Sequence, residues 1–191
     1  MSTDPVGGRL SKFITKWTEI SNNSFVKTII QQGYNIQFHT PPPITTSPTP
    51  ILPFSAEQSL LIDQAIKDLL QKAAIERVSY AQTREDPGFY SSMFVIPKKN
   101  VGVRPVFNLR KLNHYLDAPH FKMDTIKEVA RMIQPNDYLV SIDLSDAFLH
   151  VGLHPDSRKY LRLKWKDQVY QYCTTAFGLT TSPFVFTKVC K

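Results

Sequence analysis

Apolar residues recur at helical spacing in several stretches of the chain. In "GRLSKFITKWTEI", Leu10, Phe13, Trp17 and Ile20 fall on one helical face. A second apolar run, "SFVKTIIQQGY", stops at Gly33, which is a natural helix end. Ser55 and Gln58 have the spacing of a capping box. Leu61, Ile62, Ala65, Ile66, Leu69, Leu70 and Ala73 follow on one face, predicting a helix that ends near Ile75. "SSMFVIPKKNVGVRPVFNLRKL" then predicts two strands joined by a tight turn at Asn100-Val101-Gly102. Asp124 is placed to cap a further helix with Ile126, Val129, Ala130 and Ile133 on its buried face, ended by Pro135. Strands are expected over 138–144, near 158–165 and over 168–174. A last helix opens around Ser182-Pro183, where proline suits the first turn. The expected class is α+β, an antiparallel sheet with packed helices.

Between the first helices and the capping box lies "HTPPPITTSPTPILP", His39 to Pro53. A segment this rich in proline, serine and threonine favours extended polyproline conformations and makes no packed core. It divides the chain into a helical N-terminal segment (1–38), a linker or surface strap (39–53) and a folded domain (54–191).

Composition adds limits. The 191 residues suffice for one ordinary core or for part of a larger one. No apolar run is long enough to span a membrane, and the N-terminus lacks the apolar centre of a secretory signal. Cys173 and Cys190 form neither a disulfide framework nor a metal-ligand spacing. The expected setting is intracellular, cytoplasmic or nuclear, with no membrane partner. The net charge of +7 suits a polyanionic partner, because neutralised phosphates release condensed counterions.

Two places carry candidate chemistry. The turn at Asn100–Gly102 would make Lys98 and Arg104 approximate cross-strand neighbours, with Arg104, Val106, Asn108 and Arg110 on one face. Facing like charges destabilise a hairpin unless an anion lies between them; otherwise they are a solvated edge that deters aggregation. The other is "YLVSIDLSDAFLH", where an apolar run leads directly into Asp143, followed closely by Asp146 and Phe148. Asp143 could cap the next turn, join an ion pair, or bind a divalent cation, which prefers carboxylate and carbonyl oxygen. His150 and His154 have a zinc-like spacing, but Gly152 and Pro155 argue against the helix that such a pair requires.

"IPKKNVGVRPVFNLRKLN", "SIDLSDAFLHVGLHPDSRKYLRL" and "AFGLTTSPFVFTKV", in this order over roughly residues 90–190, resemble the fingers and partial palm of a reverse transcriptase, a right-hand polymerase. The phrases "VGGRLSKFITKW" and "IIQQGYNI" are most similar to retrotransposon polymerases of the DIRS type. The resemblance implies RNA-templated DNA synthesis by nucleotidyl transfer from deoxynucleoside triphosphates. Its partners would be an RNA template, a DNA primer and the remaining polymerase and ribonuclease H regions of a parent polyprotein. Asp143 matches the first palm aspartate and, with the Leu144 backbone carbonyl, would hold part of a two-magnesium site. Backbone amides of Ser145, Asp146 and Ala147 would meet the triphosphate. Phe148 would lie under the sugar and exclude a 2′-hydroxyl, and Phe177 and Gly178 would pack beneath sugar and base. Lys98 or Lys99, with Arg104, would close over the phosphates, arginine by its bidentate fork. Arg110 and Asn113 would be structural or template-side.

The family's second signature, a tyrosine-any-aspartate-aspartate turn, does not occur before Lys191. The chain alone is therefore expected not to polymerise, one strong ligand being a poor magnesium site. The competing expectation is a truncated or domesticated remnant that binds nucleic acid or nucleotide without catalysis.

Overall fold

The computed structural model describes residues 5–47, 53–97, 103–123 and 125–191. A 3-10 turn over Arg9–Phe13 runs into helix α1 (Ile14–Ile20), and α2 (Ser24–Gln32) follows. Asn23 caps α2 by accepting from the amides of Phe25 and Val26, and Gly33 ends it at φ 87°. The described part of the proline-rich stretch lies as a strap over the surface. It is tied by the paired amides and carbonyls of Thr45 and Gly88, and the His39 amide donates to the Tyr115 carbonyl.

Helix α3 (Ala56–Gln71) starts at the expected capping box, with Ser55 and Gln58 bonded reciprocally. It ends earlier than its periodicity suggested. Ala73 takes the left-handed conformation, φ 52°, without the glycine that usually marks such a stop. Ile75 consequently opens strand β1 (Ile75–Val78) instead of closing the helix. Helix α4 (Tyr80–Glu85) follows on a second capping box, Ser79 with Gln82.

Strands β2 (Met93–Pro97) and β3 (Val103–Phe107) form the expected hairpin, and the short helix α5 (Arg110–Asn113) leaves it. Helix α6 (Ile126–Met132) is capped by Thr125 with Glu128. The expected cap, Asp124, lies outside the described residues. After a 3-10 turn over Ala147–His150 come α7 (Pro155–Arg158), another 3-10 turn over Lys159–Leu161, then β4 (Arg162–Trp165), β5 (Gln168–Tyr172) and α8 (Ser182–Cys190). The strand expected from 158 begins only at Arg162, because Pro155 in the first turn and the His154 ring, which accepts from the Asp156 amide, start a helix before it.

One antiparallel sheet has the order β1-β5-β4, and β2-β3 stands as a second. Their inner faces share one core with the helices: Ile29, Ile62, Ile66, Phe107, Leu153, Leu163, Tyr172 and Val185 all belong to it. Tyr34 and Ile36 lie in the same core, so the N-terminal helices pack on the rest of the fold. Beside the sheet, buried Arg162 donates to the Gln171 side chain, the Asp86 carbonyl and the Asp86 carboxylate. Gln171 in turn donates to Glu76, which also receives Arg158. Burial works against the Glu76 charge, but these two donors hold its carboxyl below the ordinary value. No helix among the described residues is long and apolar enough to cross a membrane.

Two sequence expectations fail here. Residues 138–144 are not a strand: they pair with no strand among the described residues, and Val140 and Ile142 are 87% and 85% exposed. Helix α6 likewise turns Ile126, Val129 and Ile133 to solvent. An apolar run without alternation predicts a strand covered on both faces. Among the described residues no segment covers either face, so the ladder does not form.

Candidate functional site

The turn after Asp143 is built by local chemistry. Asp146 adopts the left-handed conformation, φ 56°, which aspartate tolerates better than most residues. Its carbonyl accepts from the Leu149 amide at 2.8 Å, closing the 3-10 turn. Behind it, His150 Nε2 donates to the Ser145 carbonyl at 3.2 Å. Leu149, Val151 and Leu153 then anchor the turn to the core. The Asp146 carboxylate pairs with Lys72 Nζ at 2.7 Å, across from the end of α3.

This turn presents Phe148 to a second aromatic. The Phe148 ring meets Phe177 edge to face at 4.8 Å and Phe186 of α8 at 5.8 Å. Thr175 fixes the Phe148 backbone by donating its hydroxyl to that carbonyl at 2.6 Å. Phe177 is 62% exposed, so the pair forms a wall with one open side. Gly178 follows at φ 90°, a conformation that side-chain-bearing residues rarely adopt. The Asn113 side chain grips this loop from α5, donating to the Gly178 carbonyl at 2.8 Å and accepting from the Thr180 amide at 3.1 Å. The aromatic loop is thereby fixed to the root of the β2-β3 hairpin.

The sequence-predicted residues fall into three groups. Ala147, Phe148, Phe177 and Gly178 are gathered around this wall, with Ser145 and Asp146 on the turn beneath it. Asp143 and Leu144 lie on the exposed approach to the turn. The Leu144 side chain also borders a groove of about 520 Å³ between α1, α2 and α8, lined by Trp17, Val26, Phe186 and Val189. Lys98 and Lys99 lie outside the described residues, as does the side chain of Arg104. In the hairpin register Arg104 stands opposite Ile96 and Val103 opposite Pro97.

Asp143 and the Leu144 carbonyl are hard oxygen donors of the kind magnesium takes. Among the described residues no group of three or more histidine, cysteine, aspartate or glutamate side chains gathers into a metal site. The donor type fits; the set is incomplete. Sequence reading missed Lys72 and Thr175, whose roles depend on contacts between segments far apart in the chain, and it left open whether Asn113 was structural.

Comparison with known proteins supplies the frame for this geometry. Residues 96–191, half of the chain, match the family model described as reverse transcriptase (RNA-dependent DNA polymerase). Genome polyproteins of two isolates of Petunia vein clearing virus, Shepherd and Hohn, are 28% identical over 86 residues, 45% of this chain. That match covers 4% of each polyprotein. The prototype foamy virus protease-reverse transcriptase superposes with a TM-score of 0.64 at 20% identity, over 81% of this chain and 20% of that one. A foamy viral protease-reverse transcriptase in complex with double-stranded DNA gives 0.57 at 17% identity, over 94% of this chain and 34% of that one. These likenesses establish the polymerase fold, and the family match covers all three motif blocks: the chain belongs to the reverse transcriptase (RNA-dependent DNA polymerase) family.

Proposed function

We propose that this chain supplies the fingers and the first part of the palm to an RNA-directed DNA polymerase of a retrotransposon, of the DIRS type. Its partners are an RNA template, a DNA primer, deoxynucleoside triphosphates and the further polymerase and ribonuclease H regions of a parent polyprotein. The reading places the protein inside the cell, in cytoplasm or nucleus. The observation that carries it is the aromatic wall of Phe148 and Phe177 standing on the Ser145–Ala147 turn, directly after exposed Asp143.

Each residue has a role in nucleotidyl transfer. The Asp143 carboxylate would hold two magnesium ions, with the Leu144 carbonyl helping to hold the one on the nucleotide side. Together the pair would supply charge neutralisation of the triphosphate and activation of the primer 3′-hydroxyl. The amides of Ser145, Asp146 and Ala147 meet phosphate oxygens, and Lys98 or Lys99 with Arg104 closes from the hairpin. Phe148 faces the sugar and leaves no room for a 2′-hydroxyl. Phe177 and Gly178 support sugar and base.

Primer extension on a primed RNA template tests the reading. Extension is expected from the parent polymerase and lost by at least about a thousandfold on Asp143→Asn, since alignment of the reacting groups carries much of the barrier reduction. Phe148→Ala should retain extension and admit ribonucleotides about ten- to a hundredfold more readily, the scale on which a pocket rejects one added hydroxyl. Undiminished extension by Asp143→Asn would refute the assignment. The 191-residue chain alone should not extend a primer; salt-sensitive binding of a DNA–RNA hybrid without extension, from wild-type parent as well, would instead favour the non-catalytic remnant, for which the net charge of +7 speaks.

A further inference from the structure

The triphosphate turn contains a contradiction. If its backbone amides receive a polyanion, the Asp146 carboxylate sits beside them with the wrong sign. The structure offers a partner for that charge. Lys72 Nζ lies 2.7 Å from Asp146 Oδ2, and both side chains are half-buried, 39% and 29% exposed.

The lysine is itself held in place. Its backbone amide closes the last turn of α3 on the Asp68 carbonyl, and its own carbonyl accepts the Gly7 amide at 2.7 Å. The next amide, Gly8, donates to the Leu149 carbonyl at 2.9 Å, at the far end of the 3-10 turn that Asp146 opens. Two consecutive glycines of the N-terminal segment thus join the end of α3 to the turn. Gly7 has no alternative in this position: a Cβ there would lie 2.2 Å from the Ala73 carbonyl oxygen.

We propose that Lys72 is a positioning residue for the nucleotide, neutralising Asp146 and holding its left-handed turn so that the amides of Asp146 and Ala147 face an incoming triphosphate. The inference rests on the nucleotide-binding reading above. Aspartate provides the left-handed backbone, lysine removes its charge, and the turn is left with donor amides and no net repulsion.

A charge cycle on the full chain tests it, reading binding of deoxyadenosine triphosphate with magnesium, with thermal melting as the check on folding. Lys72→Met leaves the carboxylate unbalanced and should weaken binding about three- to tenfold, the scale of one charge interaction near a surface. Asp146→Asn in the same chain should recover most of the loss, because the repelling charge is gone. Lys72→Arg should bind as wild type does. A purely structural lysine would instead lower the melting temperature, with the double variant no better than Lys72→Met. Binding by wild type with Lys72→Met unchanged, or with the double variant as weak as the single, overturns this inference alone. No binding by wild type overturns the nucleotide reading and this inference with it.

Discussion

Among the described residues, the chain passes from its most exposed apolar stretch to one of its most buried within a single turn. Before Asp143, Val140 and Ile142 face solvent; after Asp146, Leu149, Val151 and Leu153 are buried. The residue types hardly differ. What differs is the partner. The Leu153 amide donates to the Cys173 carbonyl, the Val151 carbonyl accepts the Thr175 amide, and Tyr34 pairs with both Gly152 and His154. No described segment pairs with 138–144 in this way. Hydrophobicity supplies the drive for burial, but a second surface decides whether burial happens.

The sharpest way to break this comparison is truncation on each side. Leu153→Ala, at 2% exposure in the core, should lower unfolding stability by about 3–4 kcal/mol, whereas Ile142→Ala should change it by less than about 0.5 kcal/mol. Urea unfolding of both variants measures the difference. Equal losses would show that 138–144 is packed in solution. In a longer protein that contains this chain, a large Ile142→Ala loss would reveal a covering surface that the described residues do not provide.

A second expectation concerns alkaline pH on the buried side. Burial pushes the Tyr172 hydroxyl and the Cys173 thiol each up to about 12, from ordinary values of 10.0 and 9.0. Both groups are held neutral in the folded state and ionise more readily when unfolded. Their contribution is complete below pH 9 and declines as pH rises toward 12. Melting temperature should fall across that window, and Cys173→Ala, if it folds, should flatten the lower part of the fall. The smallest effect is chemical. At neutral pH a maleimide should label exposed Cys190 and leave Cys173 unmodified until the fold opens.

Much of the fold was legible because it is written in short-range signals. Ser55 with Gln58 announced α3, Gly33 closed α2, and alternating runs around Asn100–Gly102 gave the hairpin. The resemblance singled out Asp143, Phe148 and Phe177 as expectations from residue types in order, and the structure adds that the rings of Phe148 and Phe177 touch. Short elements escaped notice: β1 begins after a left-handed alanine that carries no sequence signal, and the 3-10 turn over Lys159–Leu161 sits within an expected strand. The apolar run before Asp143 misled because its pattern encodes a need for cover without saying where the cover comes from. Lys72 escaped because nothing local to it refers to Asp146. Ion pairs between distant segments become visible only once the chain is folded.

Asn113 has a consequence for the ageing of the protein. Its amide uses both ends, giving a hydrogen to Gly178 and taking one from Thr180. Hydrolysis of that amide to a carboxylate, the deamidation that stored proteins undergo at asparagine, would set an anionic oxygen against the Gly178 carbonyl. The graft between the hairpin root and the Phe177 loop would open from one atom's exchange, with no residue of the aromatic wall altered. A deamidated sample should therefore show the Phe177 loop loosened while the core melts as before, and mass spectrometry of position 113 would identify such preparations.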